Sequence, residues 1–246
     1  MNQLSLEAEK TEVAIEIFKC GAFLDQARSP YGKGFKLKMH QNHPDAPLSP
    51  YYVNLRTSDN PKPGPITPVI MAKIGWLFWK YVCDPSTKIE FKHVAGIPNA
   101  GDPFAAALAL IPKQPLSRIR LLKEEFEGGR RVSCIIDGKY SRGDCVLLVD
   151  DLINRANSKL EARHVLGGVG LINRDVLVLV DREQGGREEL AKFGVNLHAM
   201  FMISEFLGIY VQKGLVSPSF RHKVLVEYPE ELQKYFSQIQ AGQTSV

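Results

Sequence analysis

The run VLLVDDLINRANSKLEA, residues 146–162, holds four apolar residues, two adjacent acids, an apolar pair, a short polar stretch and a segment of helix-forming composition. An unbroken apolar run lacks the two-residue alternation of a half-exposed strand, so 145–149 (CVLLV) suits a strand buried on both faces of a parallel sheet. Residues 176–180 (VLVLV) have the same character, and 158–171 fits the crossover helix that such a pair requires. Polar chemistry follows each strand, Asp150-Asp151 after the first and Asp181-Arg182-Glu183 after the second. Ligands of open parallel sheets bind at the carboxyl ends of the strands, which makes these residues the first candidates for a site. A polar loop entering a helix offers backbone N–H groups to an anion such as phosphate. Two adjacent carboxylates suit sugar hydroxyls or a metal, and they repel each other until a cation arrives. Helix capping by Asp150, Asp151 or Asn154 accounts for the local pattern equally well.

Outward from this run, helical and strand-like segments alternate. Residues 5–24 place Val13, Ile15, Ile17 and Phe18 for an amphipathic helix that ends at Gly21. The stretch 30–68 holds eight of the chain's 15 prolines and only short β-like runs, FKLKM (35–39) and YYVNL (51–55). It reads as loops and small strands forming a hood. Beyond it the sequence predicts a helix with Trp76, Phe78 and Trp79, a strand at 92–95, an alanine-rich helix at 103–111, and strands at 119–122 and 132–136 around a charged loop, KEEFEGGRR. The expected fold is α/β, a parallel sheet flanked by helices with a small N-terminal hood. One domain is expected over 1–246, with the hood at about 1–65, the core at about 66–210 and a C-terminal extension at 211–246.

Composition narrows the function. With 246 residues, 44% hydrophobic and 24% charged, the chain is neither disordered, collagen-like nor coiled coil. A net charge of +4 falls short of the clustered basic stripe of a nucleic-acid binder, so nucleic acid is not expected and small anionic ligands fit better. Cys20, Cys83, Cys134 and Cys145 form no C-x-x-C pair, which points away from zinc and disulfides and toward a reducing compartment. The N-terminus lacks a basic-then-apolar signal pattern, and the most apolar stretch, 69–83, is interrupted by Lys73 and Lys80. A cytoplasmic protein that does not enter a membrane is expected.

The 146–162 run resembles the phosphoribosyl-pyrophosphate signature of type I phosphoribosyltransferases, and further segments resemble the orotate phosphoribosyltransferase branch. SPYYVNL (49–55) is similar to that family's substrate segment, and GIPNAGDPFAAALAL (96–110) to its pyrophosphate-loop strand and following helix. LKEEFEGG (122–129) lies where the mobile catalytic loop begins; DREQGG (181–186) and FGVNLHAMFMISEFL (193–207) continue the likeness. The order of motifs from Phe18 to Leu207 carries more weight than any one of them.

The resemblance implies Mg²⁺-dependent transfer of ribose 5-phosphate from phosphoribosyl pyrophosphate to a pyrimidine base, orotate, with release of pyrophosphate, in a homodimer whose mobile loop serves the neighbouring site. It implies that Asp150 and Asp151 hold the ribose hydroxyls and the metal's surroundings, and that Asn154, Arg155, Ala156, Asn157 and Ser158 surround the 5′-phosphate. Lys38 matches a substrate-contacting lysine, although an insertion, MHQNHPDAPL (39–48), separates it from SPYYVNL. Lys123 matches a pyrophosphate contact. Arg182 matches the arginine that pairs with the orotate carboxylate, a task for a planar fork; an ion pair with Asp181 or Glu183 is the plainer reading. Tyr52 and Val53 fall where the family contacts the base, and hood packing also accounts for them.

The departures bear on catalysis. The family has Thr-Thr-Gly-Gly where this chain has Asn154-Arg155-Ala156-Asn157, and glycine there permits positive φ and close approach to phosphate. Phe126 stands at the catalytic-lysine position, Gly128 at that of the following histidine, and Ala100 replaces the pyrophosphate-loop lysine. Arg130 and Arg131 are near enough in sequence to substitute, or form a solvated basic turn. The alternative to an enzyme is a catalytically impaired ligand sensor or partner subunit on the same fold.

Overall fold

The computed structural model describes residues 5–126 and 129–243. In chain order the elements are α1 (Leu6–Lys19), β1 (Phe23–Asp25), β2 (Tyr51–Val53), α2 (Pro68–Val82), β3 (His93–Gly96), α3 (Asp102–Leu110), β4 (Ser117–Arg118), β5 (Arg120–Phe126), β6 (Gly129–Asp137), β7 (Cys145–Ile153), α4 (Asn157–Gly168), β8 (Ile172–Asp181), α5 (Gly186–Ala191), β9 (Asn196–Met202), α6 (Ile203–Gln212), α7 (Pro218–His222) and α8 (Tyr228–Gln243). They fall into two compact units, Met1–Glu16 with Leu55–Ile203, and Ile17–Asn54 with Ser204–Val246.

The first unit is built on a five-stranded sheet in the order β4-β3-β7-β8-β9, every neighbouring pair parallel. The α/β architecture read from the sequence is therefore present, with the two apolar runs at adjacent central positions. Val146, Leu148, Val176 and Val178 share one buried cluster with Ala162, Val165 and Leu166 of α4, as a crossover helix requires. Both central strands exceed their apolar runs: β7 continues through Asp150 and Asp151 to Ile153, which pairs with Asp181 at the end of β8. The acids are thus held in the ladder itself. Thr67 starts α2 by accepting the Ile70 amide, with Pro68 in the first turn. At the amino end of the sheet His93 joins Ser117 Oγ (2.8 Å) and Asp144 Oδ2 (2.9 Å). His93, Lys92 and the Ser141 amide hold the Asp144 carboxyl well below its ordinary range.

The charged segment expected as a loop is a β-hairpin. β5 and β6 pair antiparallel with Glu124 opposite Arg131, and Arg131 Nε donates to Glu124 Oε1 at 2.7 Å. Charges that look like loop in sequence neutralise one another across two strands.

In the second unit β1 and β2 pair antiparallel, Phe23 opposite Val53. Phe18, Phe23, Tyr51, Phe206 and Tyr210 form a ring cluster with centroids 5.0–6.2 Å apart. Burial raises the Tyr210 phenol well above its usual pKa. FKLKM is not a strand: Phe35 makes a single bridge to Ser49, and a 3-10 turn begins at Lys38. The insertion is pinned by buried His40, whose Nδ1 accepts the Leu37 amide at 2.9 Å and whose Nε2 faces the Ala46 carbonyl at 3.2 Å. His43 packs edge-on against Tyr235 and Phe236 of α8.

Among the described residues no helix is long and apolar enough to cross a membrane.

Candidate active site

Asp150 continues the face of β7 that packs on α4, and there it meets a cation that the sequence reading missed. Lys159, 4% exposed on α4, places its Nζ 2.5 Å from Asp150 Oδ2 and 2.8 Å from the Leu152 carbonyl oxygen. Asp150 Oδ1 accepts the Asp151 amide, and Asp151 Oδ1 accepts the Leu152 amide. A buried acid pair would be costly if both were ionised without compensation; here Lys159 supplies one charge from within the chain. Asp151 feels the remaining imbalance, since burial first and then the Asp150 charge push its carboxyl well above the usual range. One sequence signal for Lys159 exists. It lies on the helix face of Ala162 and Leu166, at spacings of three and seven, where a lysine needs a carboxylate partner.

The neighbouring strand supplies Arg182. Its amide donates to the Ile153 carbonyl at 3.0 Å, so it extends the β7–β8 ladder by one bond and brings a buried guanidinium to the same edge as the acids. The turn after it is sharp, with Glu183 at φ +56°. Asp181 Oδ1 accepts the Glu183 amide at 2.9 Å, and its Oδ2 lies 3.4 Å from Arg187.

Between these strands runs the 154–158 segment. None of the three suggested caps serves α4, whose N-cap is Ala156 without a side-chain bond. Ala156 lies at φ −82°, in the right-handed region, and its methyl is fully buried in the cluster beneath the loop. The missing glycines therefore leave no strain here, because no described residue of the loop has positive φ. The Ala156 amide donates to Glu189 Oε2 at 2.8 Å, and Arg155 Nη1 lies 3.0 Å from Glu189 Oε1. Glu189, on α5, is the second residue that sequence reading missed; two acids in the first turn of a helix look like ordinary dipole compensation.

The Gln184-Gly185-Gly186 turn makes this approach possible. A β-carbon on Gly185, itself at φ +90°, would stand 2.9 Å from Arg155 Nη1; one on Gly186 would stand 2.6 Å from the Ile153 side chain and 2.9 Å from the Asn154 carbonyl oxygen.

Asp102, at the start of α3 after the 96–101 segment, is a further, half-buried acid. Burial raises its pKa to about 6, with Asp150 adding to the shift and Arg118, Arg120 and Lys123 opposing it. Asp102 Oδ1 is buried and has no hydrogen-bond partner among the described residues. Lys123 is exposed on β5 opposite Val132, and Ala100 is half-buried in the turn before α3. Arg131 does not lie in a solvated basic turn: it sits on β6 and pairs across the hairpin with Glu124. Phe126 closes β5, and Gly128 lies outside the described residues.

Lys38 and Tyr52 belong to the second unit, Lys38 exposed in the 3-10 turn and Tyr52 stacked on Phe35 at 5.7 Å. Val53 is buried opposite Phe23, a packing position.

The donor chemistry fits a hard cation. Carboxylate oxygen is what Mg²⁺ prefers, and Mg²⁺ draws most of its other ligands from substrate and water. Among the described residues no three His, Cys, Asp or Glu side chains cluster around a common point. With Asp150 engaged by Lys159, Asp151 is the carboxylate whose raised pKa a cation would relieve.

No family model matches the chain. It is 31% identical over 166 residues to the uridine 5′-monophosphate synthase of Bos taurus, a match spanning 67% of this chain and 32% of that protein. It is 33% identical over 161 residues to an orotate phosphoribosyltransferase of Saccharolobus solfataricus, spanning 65% of this chain and 74% of that one. Among solved structures, the UMP synthase of Leishmania donovani shares the fold with a TM-score of 0.69, covering 90% of this chain and 42% of that chain at 23% identity. The chain thus spans about a third of the length of the bovine relative. The archaeal match runs along most of its relative's length, so the ordered motifs reflect common descent and the chain belongs to the orotate phosphoribosyltransferase family.

Proposed function

We propose that the protein transfers ribose 5-phosphate from phosphoribosyl pyrophosphate to orotate: the C1′–oxygen bond to pyrophosphate breaks, a bond from C1′ to a ring nitrogen of orotate forms, and that nitrogen's proton passes to solvent. The observation that carries this reading is the junction of β7 and β8. Register pairing of Ile153 with Asp181 and the Arg182 amide bond to Ile153 bring an acid pair suited to sugar hydroxyls beside a guanidinium suited to a carboxylate. The 154–158 segment leaves the same junction and suits the 5′-phosphate. Relatives named orotate phosphoribosyltransferase support the transferase over a silent sensor.

In this reading Asp150 and Asp151 orient the ribose and stabilise positive charge at C1′, Arg182 fixes orotate by its carboxylate, and Lys123 meets the departing pyrophosphate. For a substrate contact by Lys38 and Tyr52 the support is the family resemblance of their segments. Asp151, with Asp150 beside it, would hold Mg²⁺, which would supply positive charge to the diphosphate. A homodimer is proposed on the family likeness and on the prevalence of two-fold assemblies; light scattering then gives about twice the 27.5 kDa chain mass.

The test is pyrophosphate release from phosphoribosyl pyrophosphate with Mg²⁺ and, in turn, orotate, uracil or adenine. Release that requires orotate, and that Arg182→Ala abolishes while phosphoribosyl pyrophosphate still binds, supports the reading. Release indifferent to the base, or none with any base, refutes it.

A further inference from the structure

In the proposed reaction the 154–158 loop takes a 5′-phosphate, and the role of Glu189 inferred here rests on that reading. Two of the loop's donors are already engaged by an anion. Glu189 spends one carboxylate oxygen on the Ala156 amide (2.8 Å) and the other on Arg155 Nη1 (3.0 Å), the two-donor arrangement that two phosphate oxygens would make. These two donors pull the Glu189 carboxyl below its ordinary range, as an anion held by donors behaves. The close approach permitted by Gly185 and Gly186 brings α5 within reach of the loop.

We propose that Glu189 is an internal occupant of the phosphate cradle, which a phosphoester must displace, so that this residue sets the affinity of the subsite. The pair is open enough for exchange: Arg155 is 65% and Glu189 29% exposed at the side chain, and ion pairs of that exposure hold weakly. Once displaced, Glu189 turns to solvent and Arg155 turns to the phosphate. The Arg155 guanidinium and the Ala156 amide reach this anion with Ala156 at φ −82°, so these two contacts need no glycine in the loop.

Titration calorimetry with ribose 5-phosphate, without metal, separates this from a bracing role. Glu189→Ala should bind about tenfold tighter than the parent, because the competitor's hold on the cradle no longer has to be broken. Glu189→Gln, which keeps the shape but loses the charge, should fall between them and guards against a folding defect in the alanine variant. Adding Arg155→Ala to Glu189→Ala should erase the gain. If the parent binds and Glu189→Ala binds equally or more weakly, with Glu189→Gln tracking it, Glu189 braces the loop and the proposal falls while the phosphate reading stands. If the parent and both variants keep native circular dichroism and none binds, the phosphate reading falls and takes this proposal with it.

Discussion

Replacing Lys159 by methionine tests the buried charge balance of the site. Methionine keeps the apolar stem against α4's neighbours but removes the ammonium that touches Asp150 and the Leu152 carbonyl. Asp150 is then a carboxylate at 4% exposure, next to a second acid. Breaking a buried pair from one side costs ~3–5 kcal/mol, a large share of the ~5–15 kcal/mol that stabilises a typical domain. Both tryptophans, Trp76 and Trp79, lie on α2 in the same unit as this pair, so urea denaturation followed by tryptophan fluorescence reports on the right part of the chain. The midpoint should fall by that free energy divided by the slope, with the slope itself unchanged. Asp150→Asn on the Lys159→Met background should recover at least half of the loss, since an amide beside a thioether carries no uncompensated charge. A loss under ~1 kcal/mol for Lys159→Met, or a double variant no better than the single, would show that the pair does not hold the strand end.

Three further outcomes are expected. Gly186→Ala forces a methyl into Ile153 and the Asn154 carbonyl, so thermal melts should show a loss of ~1–3 kcal/mol typical of overpacking, with ribose 5-phosphate binding weakened in parallel. Asp102, raised to about 6 from 3.8, keeps its proton when folded and releases it earlier when unfolded. Stability therefore falls as pH rises from about 4 to 6 and is level above; Asp102→Asn lacks this fall and should gain on the parent across that window in urea midpoints. Glu124→Ala removes one exposed cross-strand pair, and chemical denaturation should register under ~1 kcal/mol.

What the sequence disclosed depends on the range of the interactions involved. The runs 145–149 and 176–180 declare a two-sided sheet because each residue's neighbours in sequence share its burial, and the polar residues at their ends mark the edge where ligands bind. The hairpin over β5 and β6 was hidden because its stabilising charges, Glu124 and Arg131, sit on different strands and look like solvated loop until paired. FKLKM alternates like a strand but has no partner strand beyond the one bridge at Phe35. Asp150, Asp151 and Arg182 were visible through the motifs around them; Lys159 and Glu189 were not, since their partners lie nine and 33 or 34 residues away. The lysine on an apolar helix face was the one local trace either of them left.

The seating of the Gly185-Gly186 turn on residues 153–155 has a consequence for how this surface can change over generations. The turn after Arg182 sits so close to residues 153–155 that a β-carbon at 186 would stand 2.6 Å from the Ile153 side chain and 2.9 Å from the Asn154 carbonyl oxygen. Substitutions in one will be accepted or rejected according to the state of the other, so a library that randomises 154–157 alone samples mostly dead variants. Recoding 154–157 together with 183–189 lets the two segments drift as one inherited block.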